Sequence, residues 1–223
     1  MARVSVFDVN ETLLDLGALD PRFERVFGDA AVRREWFQQV LQSALVATVT
    51  GSYSDFGAVG AAALQMTAAR RGMELSDEDK QDILGGMRGL PPHPEAAEAL
   101  DRLRDAGVRL AALTNSTEEV ANAQLSDAGL ADRFEQILSA DTVRRLKPAP
   151  EPYRAAANSL GVGAEEVRLV AAHAWDVAGA MRAGCAAAFV ARPGMVLDPL
   201  AQAPDIVGSD LNEVAALIAA ADS

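Results

Sequence analysis

Four short segments of the chain carry side chains of the kinds that enzymes use at their active sites. Carboxylate, hydroxyl, amide, ammonium and imidazole groups can together bind a small ligand and supply a nucleophile, an acid or a base. Each type alone is common on protein surfaces, so the interest lies in whether the fold brings them together. The segments hold Asp8, Asn10 and Thr12; Thr114, Asn115 and Ser116; Lys147; and His173 and Asp176.

The elements around these segments predict a parallel sheet. Short apolar runs alternate with helical stretches, which is typical of βαβ units. The runs lie at 4–7, 108–113, 167–172 and 187–191, and the helical stretches lie at 94–106, 152–160 and 175–183. Gly107, Gly161 and Gly184 each stand between a helix and the next strand, where a helix C-cap belongs. Ligands of open parallel sheets bind beyond the carboxyl ends of the strands, so the four segments are expected to form one site.

The segment 16–92 has a different pattern, with long Ala-rich stretches and no β-like run between them. Its helices are predicted at 35–49, at 56–71 and from the N-cap Ser76 onward, and 89–94 is predicted as a linker. The chain is therefore expected to consist of an α/β core domain, residues 1–15 and 93–223, and an inserted helical domain, residues 16–92. A last helix is expected at 211–221.

The composition argues against several classes of protein. The 223 residues include 20 basic and 32 acidic side chains, which gives a net charge of −12. Such a charge disfavours a nucleic acid or an anionic membrane surface as the main partner. The single cysteine, Cys185, excludes a disulfide scaffold and a cysteine-rich zinc site. Neither a signal peptide nor a transmembrane helix is expected, so the expected location is the cytoplasm.

The sequence resembles the haloacid dehalogenase superfamily in four motifs. These are FDVNETLLD at 7–15, LTNS at 113–116, Lys147-Pro148, and HAWD at 173–176. The segments GSYSDF, LKPAPEPY and AHAWDVAGA are similar to the (S)-2-haloacid dehalogenase (type II) subfamily in particular. The resemblance covers essentially the whole chain, and it implies a Rossmann-like α/β core with the helical insertion as a cap.

The resemblance also implies the roles of individual residues. Asp8 would be the nucleophile, and Lys147 the cation that keeps it ionised and stabilises the transition state. Thr12 would donate a hydrogen bond, and His173 would bind the substrate or help Asp176 to activate the hydrolytic water. The residues expected to contact the substrate or orient the nucleophile are Asn10, Thr114, Asn115, Phe37, Tyr53 and Tyr153.

Two positions favour a metal-independent enzyme over a phosphatase of the superfamily. Asn10 stands where the phosphatases have their general acid, and Ala172 stands four residues before Asp176, where they have a second Mg²⁺ ligand. Two carboxylates supply few of the oxygen ligands that a hard cation needs. The implied reaction is therefore displacement of a leaving group from the α-carbon of a carboxylic acid by Asp8, followed by hydrolysis of the Asp8 ester, with no cofactor.

The halide-binding part of the dehalogenase pattern is altered. In that pattern an arginine directly follows the tryptophan that aligns with Trp36, but here the position holds Phe37. Arg33 and Arg34 lie nearby, and we expect them to project from other faces of the helix than residue 37. The usual Ser and Asn of the last motif are replaced by Ala171 and His173.

These differences leave several functions open. Asn10 and Glu11 replace a Tyr-Gly pair of the first motif, so the leaving group can differ from a halide. Hydrolytic ring opening of a small cyclic amino acid such as azetidine-2-carboxylate is one alternative. A Mg²⁺-dependent small-molecule phosphatase and a non-catalytic binding protein of the same fold are the others. The expected partner is a small-molecule carboxylate, with no nucleic acid and no membrane. A homodimer through the cap is open from the resemblance alone.

Overall fold

A computed structural model of the protein describes residues 4–222. Within them, six strands form one parallel sheet in the order β3-β2-β1-β4-β5-β6. The strands are β1 Val4–Phe7, β2 Arg109–Thr114, β3 Gln136–Ser139, β4 Val167–Ala171, β5 Ala186–Val190 and β6 Ile206–Gly208. The strand order reverses direction at β1, so the crevice that binds ligands in such sheets lies beside the carboxyl end of β1.

The helices divide between the sheet and the insertion. Those before β2 are α1 Asp20–Phe27, α2 Val32–Thr50, α3 Phe56–Arg70, α4 Asp77–Gly86 and α5 Ala96–Asp105. Those after it are α6 Glu118–Asp127, α7 Pro150–Ser159, α8 Ala174–Ala183 and α9 Leu211–Asp222. The α/β class, the four predicted strands and the helices predicted beside them are thus confirmed, with ends displaced by one or two residues.

The residues along β1 and β4 alternate between two apolar layers, because successive side chains of a strand point to opposite faces. Val4 and Val6 pack in the layer that includes α7 and α8, while Phe7 packs in the layer that includes α5 and α9. Both faces of the sheet are therefore covered, as expected for a parallel sheet. Gly184 ends α8 with φ +103°, a conformation that glycine adopts without a steric penalty.

Helices α1–α4 lie between β1 and α5, in the part of the chain where an all-helical insertion was predicted. Ser76 caps α4 through its side chain, which accepts a hydrogen bond from Asp79 N–H at 3.1 Å. The two ends of the insertion run side by side, since His93 N–H donates to Leu13 O at 2.9 Å. The domain boundaries at 16 and 92 remain a prediction, and this pairing of the ends supports them.

Candidate active site

Asp8 lies at the reversal point of the sheet, one residue beyond the end of β1. Its backbone N–H donates to Val170 O at 3.0 Å, so the residue is fixed between β1 and β4. Its carboxylate is almost fully buried. The loop after β4 and the start of α8 bring His173 and Asp176 to the same edge. Two of the four sequence segments therefore meet at Asp8.

Lys147 joins the third segment to this pair. Its ammonium donates to Asp8 Oδ1 at 2.9 Å, to Asp176 Oδ2 at 2.6 Å and to Leu113 O at 2.9 Å. The hydroxyl of Tyr153, on α7, donates to the other oxygen of Asp176. One buried cation thus bridges two buried carboxylates, and Tyr153 orients Asp176 while making no contact of its own with Asp8.

The charges of this group are set by competition between burial and pairing. Burial opposes ionisation of Asp8, but Lys147 and then His173 outweigh it, so the pKa of Asp8 lies well below its ordinary value. Burial also opposes the ammonium of Lys147, but Asp176 and Asp8 raise its pKa above the ordinary value. Burial raises the pKa of Asp176 against the attraction of Lys147. Asp8 is therefore ionised at neutral pH, as a nucleophile must be.

Thr12 and Asn115 support the reacting pair from opposite sides. Thr12 donates to Asp8 Oδ2 at 2.7 Å and accepts from Ala172 N–H at 3.0 Å. The Asn115 side chain accepts from Lys147 N–H at 2.8 Å and donates to Lys147 O at 3.4 Å. Asn115 thereby holds the backbone of Lys147, and Thr12 fixes one oxygen of Asp8.

Thr114 also has a backbone partner, since its hydroxyl accepts from Ser116 N–H at 3.2 Å. It closes the turn after β2, which is the ordinary role of a threonine at a strand end. The expected contact of Thr114 with Asp8 is not among its contacts here. A contact with substrate remains a prediction for both Thr114 and Asn115.

His173 lies above Asp8 and is shared between two carboxylates. Its Nε2 is 2.8 Å from Glu11 Oε2, and its Nδ1 is 3.5 Å from Asp8 Oδ2. The ring packs between Phe37 and Trp175, with centroid distances of 6.2 Å and 5.2 Å. Burial opposes protonation of His173, but its interactions with Asp8 and Glu11 outweigh burial and raise its pKa to about 9.

A cleft of about 880 Å³ opens onto His173. Its walls include Glu11, Arg33, Phe37, Trp175 and Arg192. The expectation that Arg33 and Arg34 project away from residue 37 is wrong. Both line this cleft with Phe37, because residues three or four apart on α2 share a face. Arg33 is buried, forms an ion pair with Asp20, and lies 3.7 Å from Glu11.

The alanine that faces the cleft is Ala172, whereas the sequence comparison placed the replaced serine at Ala171. Ala172 lines the cleft, while Ala171 packs in the apolar layer on the opposite face of the sheet. The alternation of side chains along β4 explains the difference. The last motif therefore presents Ala172 and His173 to the site.

A second cavity, of about 450 Å³, lies between the helical insertion and the start of α6. Phe37 lines both this cavity and the cleft, so its ring is the wall between them. The cavity is lined mainly by apolar residues, with Ser116 and Gln124 on its core side. Asn10 joins these two residues, since it accepts from Gln124 Nε2 at 3.1 Å and its amide is 3.5 Å from Ser116 Oγ.

Tyr53 lies outside both cavities. Its hydroxyl donates to Asp141, and the guanidinium carbon of Arg144 is 4.6 Å from the centroid of its ring. Tyr53 therefore fastens α2 and the loop after it to the core near Lys147. Its expected contact with the substrate follows from the resemblance and stays a prediction, while its neighbours in the structure are Asp141 and Arg144.

The donor set around Asp8 does not fit a magnesium site. Lys147 already places a positive charge between Asp8 and Asp176, and Ala172 offers no side-chain oxygen. Within residues 4–222, His, Cys, Asp and Glu side chains form no group of three that could hold a metal ion. A hard cation takes oxygen ligands, and the carboxylates that could supply them here are already paired with Lys147.

Glu11, Arg33 and Gln124 contribute to the site but were not predicted as site residues. Glu11 adopts a left-handed conformation, φ +63°, which is uncommon for a residue other than glycine. Its place in the first motif, three residues after Asp8, was the available signal. Arg33 could have been found from its spacing of four to Phe37. Gln124 lies on α6, a helix that was not predicted, so no signal identified it.

Comparison with known proteins places this site in a family. The model of the haloacid dehalogenase-like hydrolases matches residues 2–184. The chain is 32% identical to (S)-2-haloacid dehalogenase of Xanthobacter autotrophicus, over 86% of this chain and 76% of the relative. It is 34% identical to (S)-2-haloacid dehalogenase 4A of Burkholderia cepacia, over 82% and 80% of the two chains.

Solved structures agree with the sequence comparisons. The L-2-haloacid dehalogenase of Xanthobacter autotrophicus, solved with chloropropionic acid covalently bound, superposes with a TM-score of 0.91. The two sequences are 29% identical, and the match covers 98% of each chain. The chain therefore belongs to the haloacid dehalogenase-like hydrolases, and the relatives that it matches within them are (S)-2-haloacid dehalogenases.

Proposed function

We propose that the protein hydrolyses a carbon–heteroatom bond next to a carboxylate, through a covalent ester on Asp8. The observation that carries the proposal is the ammonium of Lys147, which lies 2.9 Å from Asp8 inside a buried group. This contact keeps a carboxylate ionised where water cannot solvate it fully, which makes it a better nucleophile. The covalently bound chloropropionic acid in the Xanthobacter autotrophicus enzyme is consistent with it.

The reaction has two steps. The Asp8 carboxylate attacks the α-carbon of the substrate, the bond to the leaving group breaks, and an Asp8 ester forms. Water then attacks the Asp8 carbonyl carbon, the ester bond breaks, and a 2-hydroxy acid leaves. Lys147 stabilises the charge on Asp8 before the first step and on the tetrahedral oxyanion in the second.

A 2-haloacid is the first substrate class we propose, because the relatives are named for it. The substituent on the α-carbon would extend past Phe37 into the 450 Å³ cavity. That volume falls in the range of small-molecule sites and its lining is mainly apolar. The side-chain oxygen of Gln124 is buried there without a hydrogen-bond partner among the described residues, so a substituent with a hydroxyl or amine donor would gain a contact.

A nitrogen leaving group is the second candidate, and one observation favours it. A halide departs as a stable anion, but an amine must receive a proton as the bond to carbon breaks. His173 is held as a cation with Nδ1 directed to Asp8, and its pKa is raised to about 9 by Asp8 and Glu11 against the opposing effect of burial. Phe37, in place of an arginine, removes the usual halide partner. Ring opening of azetidine-2-carboxylate would use both features.

A substrate panel with and without EDTA tests the proposal against its alternatives. We expect turnover of (S)-2-chloropropionate or of a cyclic 2-amino acid, unchanged by EDTA. Hydrolysis of p-nitrophenyl phosphate that requires added Mg²⁺ would instead establish the phosphatase. Binding of a carboxylate without turnover of any compound would establish a non-catalytic protein of this fold.

The net charge of −12 disfavours nucleic acid as a partner, and we propose a small-molecule carboxylate as the ligand. Within residues 4–222, no helix is long and apolar enough to cross a membrane. The free, buried thiol of Cys185 is compatible with the reducing cytoplasm that we propose as its location.

We also propose a homodimer through the cap. Leu45, Val46 and Val49 on α2 and Met66 on α3 are large apolar side chains of the cap that are left exposed. Exposed apolar side chains that form a contiguous patch mark an association surface. In analytical ultracentrifugation we expect the wild type to sediment as a dimer and Val49→Asp to sediment as a monomer.

A further inference from the structure

Glu11 and His173 form a pair that the attack by Asp8 does not require. Glu11 Oε2 is 2.8 Å from His173 Nε2, and Arg33 lies 3.7 Å from the other Glu11 oxygen. Glu11 holds this place in a left-handed conformation, φ +63°, which costs conformational energy for a residue with a side chain. Strain of this kind persists where the surrounding structure enforces it, often at functional sites.

The other ring nitrogen of His173 is directed at the nucleophile but makes no full hydrogen bond. Nδ1 is 3.5 Å from Asp8 Oδ2, and it is a buried polar atom without a hydrogen-bond partner among the described residues. His173 also lines the 880 Å³ cleft. The ring is thus oriented through Nε2 and free to act through Nδ1.

Asp176 is poorly placed to serve as the base for the second step. It is fully buried, one oxygen accepts from Lys147 at 2.6 Å, and the other accepts from Tyr153. Both oxygens are therefore engaged, and a base must have a free lone pair within reach of the water. When its ring is neutral, His173 has a free lone pair on Nδ1, which lies 3.5 Å from Asp8 Oδ2 without a hydrogen-bond partner among the described residues.

We infer that His173 is the general base that removes a proton from the water that hydrolyses the Asp8 ester, and that Glu11 is the residue that positions His173. The arrangement of carboxylate, imidazole and reacting group is the one that general-base enzymes use to orient a histidine. This inference rests on the proposed function, because it requires the Asp8 ester.

Proton balance follows from the charges that face His173. These are Asp8 at the end of β1 and Glu11 in the turn after it, while α2 presents Phe37 to the ring and reaches Glu11 through Arg33. In the free enzyme the two carboxylates keep His173 protonated. Ester formation removes the charge of Asp8, so His173 can then give its proton to a leaving nitrogen, or to solvent when a halide departs.

The hydrolytic step then begins with a neutral His173. Nδ1 takes a proton from water as the hydroxyl oxygen bonds to the Asp8 carbonyl carbon. The tetrahedral oxyanion collapses, the bond from that carbon to the product oxygen breaks, and His173 returns the proton to the product alkoxide. The Asp8 carboxyl group loses its own proton to His173 or solvent, which restores the starting state.

The test separates formation of the Asp8 ester from its decay. Wild type, His173→Asn and His173→Gln are mixed rapidly with (S)-2-chloropropionate, quenched in acid, and the mass of the Asp8 peptide is followed. We expect both variants to form the ester within about tenfold of the wild-type rate. Its decay should slow at least about 100-fold, the usual effect of losing a general base, so that the ester accumulates.

Glu11→Gln keeps the size of the side chain and removes its charge. We expect the ester to decay about tenfold more slowly than in wild type, with its formation little changed. Glu135→Gln is the matched control, since Glu135 pairs with Arg109 at the opposite end of β2 and should change neither rate. Thermal unfolding of each variant shows that it is folded under the conditions of the assay.

Three outcomes would overturn the inference, and they are distinguishable. Ester decay at the wild-type rate in His173→Asn and His173→Gln would refute the role of His173 as general base and leave Asp8 as the nucleophile. Equal slowing of formation and decay in the folded variants would show that His173 only supports the structure. Product formation without any ester in wild type or variants would refute the proposed function itself, and with it the roles inferred for His173 and Glu11.

Discussion

The ammonium of Lys147 lies 2.9 Å from the carboxylate of Asp8, and both side chains are almost fully buried. They are 139 positions apart in sequence. The contact depends on β1 for the position of Asp8 and on Asn115 for the backbone of Lys147. A buried charge is tolerated only with a partner of opposite sign, so neither residue can change without consequence for the other.

Replacement of Lys147 by methionine tests this dependence. Lys147→Met keeps the apolar stem but leaves Asp8 and Asp176 close together without a cation, so one of them must take up a proton. We expect kcat/KM to fall at least about 1000-fold and the free energy of unfolding to fall by about 3–5 kcal/mol. Steady-state kinetics and urea unfolding at neutral pH measure the two effects.

Arg109→Met is the control for that experiment, since it removes a cation from a largely exposed pair with Glu135. An exposed pair contributes at most about 1 kcal/mol, and Arg109 is remote from the cleft. Near-normal turnover in Lys147→Met would contradict the assigned role of the ammonium.

Phe37 is expected to set the preference for the leaving group. Phe37→Arg would place a guanidinium at the wall of the cleft, where the centroid of the Phe37 ring now lies 6.2 Å from that of His173. A guanidinium favours an anionic leaving group, so the ratio of kcat/KM for 2-chloropropionate over azetidine-2-carboxylate should rise about tenfold or more. Phe37→Leu controls for loss of the ring. An unchanged ratio would show that residue 37 does not contact the leaving group.

The second cavity is expected to accept the substituent of the substrate. Gly85 lines it, and a Cβ added there meets no atom within 4 Å, so the backbone can accept Gly85→Leu at the wall of the cavity. We expect kcat/KM for 2-bromohexanoate to fall about tenfold, with little change for 2-chloropropionate. Gly89→Leu is the control, because Gly89 has equally open surroundings outside the cavity. Equal losses for the two substrates would place the substituent elsewhere.

The titration of His173 predicts how stability depends on pH. Its pKa in the folded protein is raised to about 9 by Asp8 and Glu11, against the opposing effect of burial, and it is about 6.5 in an unfolded chain. The stabilisation is therefore complete below about pH 6.5 and is lost as the pH rises through about 9. The difference in free energy of unfolding between wild type and His173→Gln should shrink by a few kcal/mol across this window.

The other histidine provides a control of opposite sign. Burial, and then Arg192, lowers the pKa of His93, so its protonation destabilises the folded state at low pH. The difference between wild type and His93→Gln should change below about pH 6.5 and stay constant through pH 9. A flat difference for His173→Gln over the same upper range would show that His173 is not a cation in the folded protein.

Much of the fold could be predicted from local patterns. The first strand, Val4–Phe7, is a short and mainly apolar run that ends directly before Asp8, and Ser76 precedes an acidic first turn, so both elements were found. The strands Gln136–Ser139 and Ile206–Gly208 lie towards the edges of the sheet and were missed. They are short and only partly apolar, and their place is decided by pairing with Ala111–Thr114 and Ala188–Val190.

The reacting groups of the site were identified from the motifs, while the contacts between them were not. Asp8, Lys147 and Asp176 belong to segments whose order is readable in the sequence. The pairing of Glu11 with His173 depends on a left-handed backbone at Glu11. A glutamate in the sequence does not indicate that conformation, whereas a glycine would. Arg33 is a different case, since the spacing of four to Phe37 was visible and was misjudged.

The source of the product oxygen tests the central claim most directly. Excess enzyme is mixed with (S)-2-chloropropionate in ¹⁸O-water for a single turnover, and both product and protein are analysed by mass spectrometry. If Asp8 is the nucleophile, the first product carries an unlabelled oxygen from its carboxylate, and ¹⁸O appears in the peptide that contains Asp8. If water attacks the substrate directly, with Asp8 or His173 only as a base, the first product carries ¹⁸O and the protein none, and that result would contradict the account.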